Sequence, residues 1–492
     1  MRKNYFKPLI SLVIAFLTVL LCFAPFASIN VVKAEEITPN GEITVFSWED
    51  YIEEGEDGAN GVLEDFEKEY PNVKVNYYSF ATNEEMYNEL LKDPTAVDVI
   101  CPSEYMILKM KNEGLIKPYA VPDNFKTYGS PYIKDVFEEI GLNTNDGKTY
   151  AVGYMWGTMG LIYNADKFTP EDFDSWTNLY QDKFYGKITI KDSLRDSYIM
   201  AIAIVYKDEL LELKNQLENS QITEDAYKTQ LFDLFNRTDA ETVDKVEKAL
   251  IQLKPHLYGF EVDAGKNDLL TGKIDVNFAW SGDAVYSMWE ADNVGKNLRY
   301  VVPKEGSNVW FDGWVMTKHA NENASRAFID FMSRPDIAVR NMDYVGYTSC
   351  VAGAEVFEYV KDTFGTEGGE KTADLSYFFG NDADYTFKVS DGEDGYYRHL
   401  YAQYADEETI LRCAVMDNFS DKDLERINEM WNKVKLITLP NYMLILICVL
   451  IALVIVFAVL YKFREKIFKK QISEKKNKIR KGCKIVEIKE IK

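Results

Sequence analysis

Residues 43–100, ITVFSWEDYIEEGEDGANGVLEDFEKEYPNVKVNYYSFATNEEMYNELLKDPTAVDVI, decide the fold. Ile43 to Phe46 is a short β-rich run. Gly61 to Tyr70 then places Val62, Leu63, Phe66 and Tyr70 on one helical face, and Pro71-Asn72 stops it. Val73, Val75 and Tyr77 alternate along a second strand, Val73 to Tyr78. From about Asn83 a second helix buries Met86, Leu90 and Leu91, and Val97 to Ile100 form a third strand. Strands separated by helices require crossover connections, so this rhythm predicts an α/β fold with a parallel sheet.

Such sheets bind ligands beyond the carboxyl ends of their strands. Trp48 and Tyr51 lie just past the first strand, and Ser103 and Tyr105 just past the third. Trp280 likewise follows a strand-like run, Ile274 to Phe278, and Asp283 is placed to cap the helix that begins there. Four segments therefore stand out: Ser47-Trp48-Glu49-Asp50-Tyr51, Pro102-Ser103-Glu104-Tyr105, Phe278-Ala279-Trp280-Ser281-Gly282-Asp283 and Trp310-Phe311-Asp312-Gly313-Trp314. Each sets a Trp or Tyr within three residues of a carboxylate. A ring face plus an anionic oxygen is what a desolvated ammonium group needs, so the pattern predicts a cage for an organic cation.

The ends of the chain suggest where that cage works. Arg2, Lys3 and Lys7 precede an apolar run from about Leu9 to Phe26, and Val32-Lys33-Ala34 suits a signal peptidase, so residues 1–34 read as a signal peptide. Leu21 before Cys22 argues against lipid anchoring. Tyr442 to Tyr461 carries no charge and is long enough to cross a bilayer. Thirteen basic and four acidic residues follow it, predicting a cytoplasmic tail over 462–492 and an outward-facing domain.

Between leader and tail remain 39 basic and 75 acidic residues, a net charge of −36. Such a domain repels nucleic-acid phosphates and attracts cations. Only Cys101, Cys350 and Cys413 lie outside leader, span and tail, so at most one disulfide is available. His256, His319 and His399 are too scattered for a metal site, and no pair of cysteines has knuckle spacing. No G-x-S-x-G elbow or H-E-x-x-H motif is present, and no His is placed to activate a Ser. Catalytic, cofactor and metal roles are not expected.

Several further motifs fall in order with these: Tyr154-Met155-Trp156-Gly157-Thr158, Val302-Pro303-Lys304-Glu305-Gly306, Arg334-Pro335-Asp336 and Val345-Gly346-Tyr347. Together with the segments around Trp48, Ser103 and Trp280, they make residues 41–439 resemble the polyamine-binding proteins of ABC importers, the spermidine/putrescine receptors. The resemblance implies a two-lobed, periplasmic-binding-protein-like (type II) fold with a hinge cleft, lobe 1 spanning 41–153 and 311–344 and lobe 2 spanning 154–310 and 345–439. It implies Trp48, Tyr51, Tyr105, Trp280, Trp310 and Tyr347 as walls along a methylene chain, Ser103 as a polar contact, and Asp312 and Asp196 as ammonium partners.

Three positions depart from the family pattern. Ser193 stands where spermidine-binding relatives usually have the first of two carboxylates, Met416 replaces a Gln, and Glu49 stands where relatives carry Thr or Ser. Asp283 matches a position that is acidic in putrescine-binding relatives. The ligand expected is therefore putrescine or spermidine, with ABC permease subunits as partners. A membrane-tethered sensor for another small organic cation is the alternative. Trp156, Trp176, Trp289 and Trp314 read as packing, Asp192 as solvent-facing, and 207–253 as a helical hairpin on the second lobe.

Overall fold

The computed structural model describes residues 38–55, 59–392, 395–436 and 441–487, with the backbone alone for 441–448 and 481–487. The expected signal peptide, 1–34, lies outside the described residues.

The first three strands form as Gly41–Trp48, Val73–Phe80 and Val99–Ile100. Gly41–Trp48 pairs in parallel with both of the others. The helices between them are Val62–Glu69 and Asn83–Lys92, the second capped by Thr82, whose hydroxyl accepts from Glu85 N at 3.1 Å. Met86 and Leu90 share the buried face, one turn apart. Leu91, expected inside with them, is exposed because it sits a further 100° around the helix.

Two long antiparallel strands carry the sheet onward. Val152–Asn164 is buried at every residue, as befits a central strand covered on both faces. One half of it pairs with Val309–Thr317, and the other with Val276–Trp280 and Leu298–Val301. Val309–Thr317 continues onto Val99–Ile100, while Val276–Trp280 continues in parallel to Ile188–Lys191 and then Leu257–Glu261. Two α/β halves thus meet through these two strands, giving a mixed α/β, two-lobed architecture. The pairing slips between Asp312 and Gly313, where Met155 and Gly153 are the partners and Tyr154 is the extra residue. A bulge of this kind re-aims side chains, and here it falls beside Asp312.

The described chain separates into two compact units. One holds the residues through Thr238 and Gln252–Ser420, including all the strands above; the other holds Asp239–Ile251 and the residues from Asp421 onward. In the second unit, Lys433 Nζ on the helix Asp421–Lys435 lies 3.1 Å from Glu247 Oε2. The stretch expected as a helical hairpin is three helices, Lys207–Glu218, Glu224–Phe235 and Ala240–Leu253.

Among the described residues, no helix is long and apolar enough to cross a membrane. The candidate span Tyr442–Tyr461 lies in the helix Asn441–Glu487, and its side chains through Cys448 fall outside those described. Cys101, Cys350 and Cys413 are buried free thiols, so none of the three forms the one bridge that was available. Trp156, Trp176 and Trp314 are fully buried, as packing residues should be, and Asp192 is exposed.

Candidate functional site

The carboxylate of Asp312 is the focus of the site. It is buried, with Oδ1 accepting from Ser103 Oγ and Oδ2 from Tyr51 Oη, each at 2.7 Å. Both donors come from the edge of the parallel strands, and a bridge between the backbones of Ser103 and Asp312 fixes the spacing. Burial raises the Asp312 pKa to about 6, against the lowering effect of the two hydroxyls. Two neutral donors do not neutralise an anion, so the arrangement is prepared for a cation.

A chain of aromatic rings leads away from that anion, beginning at Tyr51. Tyr51 meets Tyr154 and Tyr347 edge to face, at 5.3 and 6.0 Å between centroids, and Tyr347 meets Trp310 at 5.4 Å. Trp310 Nε1 donates to the Thr158 carbonyl at 3.3 Å. Backbone shape makes room for two of these rings. A Cβ at Gly282 would fall 1.2 Å from Tyr347 Cδ1, and one at Gly157 would fall 2.8 Å from Trp310 Cζ2. These glycines are needed for close approach.

Beyond Tyr347 the site contains a built-in ammonium. Tyr347 Oη donates to Asp283 Oδ1 at 3.2 Å, and Lys191 Nζ donates to Asp283 Oδ2 at 3.1 Å. Lys191 is almost fully buried; its Nζ also donates to the Val262 carbonyl at 2.7 Å and lies 3.3 Å from Glu261 Oε1. The same Nζ sits 4.1 Å from the centroid of the Trp280 ring. Lys266 adds a second cation, 3.5 Å from Asp283 Oδ1. Asp283 therefore engages two lysines and a tyrosine. It does not cap its helix, Ser281–Asn293, which has Trp280 at the N-cap and no side-chain cap; the ion pair has taken the carboxylate that capping would use.

On the opposite side, Asn83 Nδ2 donates to Ser103 Oγ at 3.1 Å and to Tyr105 Oη at 3.0 Å, and Tyr105 Oη donates to Glu84 at 3.1 Å. The Arg195 guanidinium lies between two rings, 4.2 Å from the Tyr105 centroid and 3.7 Å from that of Phe419, and donates to the Asp417 carbonyl. Next to it, Asp196 is buried in the first turn of the helix Leu194–Val205, where Ser193 Oγ accepts from Asp196 N at 3.3 Å. Burial raises the Asp196 pKa to about 6, while Ser193, Lys191 and Arg195 pull it down. Glu104 is fully buried. Burial lifts it to about 8, the neighbouring Asp312 charge adds to the rise, and Phe311 N donates to its Oε2 at 3.3 Å.

Tyr51, Ser103, Tyr105, Trp310, Asp312 and Tyr347 are thus joined, directly or through Asn83, in one network, which Tyr347 extends to Asp283 and Lys191 extends from Asp283 to Trp280. Trp48 stands three residues before Tyr51 and packs its ring on Phe80 at 4.8 Å. Its indole nitrogen is buried without a hydrogen-bond partner. Glu49 is exposed at the same edge. Sequence reasoning missed Asn83, Lys191 and Arg195, and quoted Glu104 as the carboxylate of its segment without giving it a role. Lys191 and Arg195 flank the quoted Asp192 and Ser193, and the end of a strand was the available signal. Among the described residues, no group of three or more His, Cys, Asp and Glu side chains is arranged for a metal ion.

Two α/β halves joined by crossing strands, with a buried anion and aromatic walls at their shared edge, define a two-lobed binding protein. Residues 61–363 match the family of bacterial extracellular solute-binding proteins, and the chain belongs to it. It is similar to the spermidine/putrescine-binding periplasmic protein of Escherichia coli, 26% identical over 320 residues, 64% of this chain and 79% of that one. The putrescine-binding periplasmic protein PotF of Escherichia coli is 27% identical over 338 residues, 65% and 80% of the two chains. Among solved structures, the spermidine/putrescine ABC transporter substrate-binding protein PotD of Streptococcus pneumoniae shares the fold, with a TM-score of 0.54 and 23% identity over 80% of this chain and 99% of that one.

Proposed function

We propose that this chain captures a polyamine, putrescine or spermidine, at the outer face of the membrane and delivers it to an ABC importer. The observation that carries the reading is Asp312: a buried carboxylate held by two hydroxyls, next to ring edges and faces, with no basic side chain in ion-pair contact among the described residues. One ammonium pairs with Asp312 and a second with Asp196. Tyr51, Trp310 and Tyr347 flank the methylenes, with Trp48, Tyr105 and Trp280 as outer walls and Glu49 at the rim. A charge-assisted hydrogen bond contributes about 1.5–3 kcal/mol and a ring facing an ammonium roughly 0.5–2 kcal/mol. Two ends and several rings reach the roughly −8 kcal/mol of a micromolar complex after association costs.

Closure follows the two strands that join the halves, with lobe 1 over 41–153 and 311–344 and lobe 2 over 154–310 and 345–439. Residues 1–34 act as the export signal, and residues 442–461 tether the receptor beside its permease, where effective concentration is high. The support for the tether is the sequence, twenty uncharged residues ahead of a basic tail. Chain truncated before residue 440 should appear in the medium; truncated chain that still sediments with membranes would remove the tether from the reading.

The deciding experiment is calorimetric titration of the full chain with putrescine and spermidine, and with a disaccharide and ferric citrate as controls. Micromolar heat with a polyamine alone supports the assignment. A folded protein silent toward both polyamines overturns it.

A further inference from the structure

The Trp280 end of the cleft already holds a cation. Lys191 rises from the last position of the strand Ile188–Lys191, and pairing of that strand with Leu257–Glu261 sets Glu261 beside it. Its ammonium has what a ligand ammonium would require: a ring face at 4.1 Å, carboxylate oxygens at 3.1 and 3.3 Å, and a backbone carbonyl at 2.7 Å. The side chain is 1% exposed. The assembly is continuous with the cage, since Tyr347 touches Asp283 with its hydroxyl and Tyr51 with its ring, and Tyr51 touches Asp312.

We propose that Lys191 is a specificity-determining residue: it fills the ammonium position between Trp280 and Asp283, so that a ligand ammonium is excluded there and the cleft takes a diamine in preference to a triamine. The inference rests on the polyamine reading above and deepens it. Two cations a few ångströms apart in a water-poor site repel strongly, and the carboxylates here are already engaged, Glu261 by Lys191 and Asp283 by both Lys191 and Lys266. A triamine lying along the rings from Asp312 must bring a third charge toward Lys191. A diamine finds Asp312 and Asp196, which a lysine does not hold in an ion pair among the described residues. Lys191 is more than an ordinary buried salt bridge in this respect, because its ammonium faces the ring that walls the ligand site.

The test compares dissociation constants for putrescine and spermidine by calorimetry in the full-length wild type, Lys191→Met, and the double variant K191Q/E261Q. The double variant keeps the formal charge balance and similar side-chain sizes, and it serves where the single variant, with Glu261 and Asp283 left facing each other, fails to fold. Thermal melts report folding of each. Wild type should bind putrescine at least as tightly as spermidine, and either folded variant should shift the ratio toward spermidine by tenfold or more. An unchanged ratio in a folded variant that still binds putrescine overturns the role of Lys191. Spermidine bound tenfold tighter than putrescine by wild type overturns it without any variant. Wild type that binds neither ligand overturns the polyamine reading itself, and this inference with it.

Discussion

Tyr51 Oη donates to Asp312 Oδ2 across 261 residues of sequence, at 2.7 Å. With Ser103 Oγ on the other oxygen, the carboxylate is oriented before any ligand arrives. Such preorganisation lowers the ordering cost of binding. Asp312→Asn keeps the shape and removes the charge. A ligand ammonium then loses its charge-assisted bond and is left partly unpaired, which costs about 3–5 kcal/mol, or roughly 10²–10⁴-fold in affinity. Calorimetry should show that loss while the melting temperature is maintained or rises, because the buried charge it removes is itself unfavourable in the empty protein.

Acid should weaken binding. Asp312 and Asp196 have folded-state pKa values raised to about 6 by burial. For the empty protein, a raised carboxylate pKa means that stability present below about 3.9, the unfolded value, is lost as pH rises through about 6. A bound ammonium favours the ionised forms, so polyamine binding below pH 6 must release protons. Affinity should be flat above about pH 7 and fall as pH drops through 6, with log affinity approaching a slope of two per pH unit. Titrations in buffers of different ionisation enthalpy would measure that release. A pH-independent affinity between 5 and 7 would show that these two carboxylates are not the ammonium partners.

The parallel start of the sheet was legible because each element there is defined by its own neighbours: alternation in Val73, Val75 and Tyr77, helical spacing in Val62 and Phe66, a stop at Pro71. The edge position of Tyr51, Ser103 and Trp280 followed from the same pattern. What was not legible is pairing between distant residues. Lys191, Glu261, Lys266 and Asp283 come together only when Ile188–Lys191 pairs with both Leu257–Glu261 and Val276–Trp280, and no local signal records that meeting. Asp283 consequently reads as a cap or a free anion in sequence, and as a neutralised one in the fold. The extra residue Tyr154 opposite Asp312 was hidden likewise, since a bulge depends on the register of two strands 150 residues apart.

Gly282 ties cage shape to backbone. A Cβ there would lie inside the Tyr347 ring, at 1.2 Å from Cδ1 and 1.5 Å from Cε1, so Gly282→Ala must push the ring aside. Moving Tyr347 breaks its bond to Asp283 and its edge contacts with Tyr51 and Trp310. Overpacking of this kind costs about 1–3 kcal/mol of stability. Polyamine affinity should fall tenfold or more in protein that remains folded at 25 °C. Wild-type affinity in Gly282→Ala would mean that Tyr347 does not contact the ligand.

Arg195 connects the two halves of the site without an ion pair at close range among the described residues. Its guanidinium is stacked on Tyr105, which follows the Val99–Ile100 strand, and on Phe419, and it stands one residue before Asp196. Burial lowers its pKa, against the opposing effects of Tyr105, Glu104, Glu84 and Asp417. Lys at this position would keep the charge and lose the flat face that fills the gap between two rings. Arg195→Lys should therefore weaken polyamine binding by roughly tenfold, about 1.4 kcal/mol, and speed dissociation more than it slows association, since stacking across the site holds a formed complex and does not steer an approaching one. Stopped-flow kinetics separate the two rates. If the loss appeared in the association rate alone, Arg195 would be acting through the long-range field and not through its contact with Tyr105.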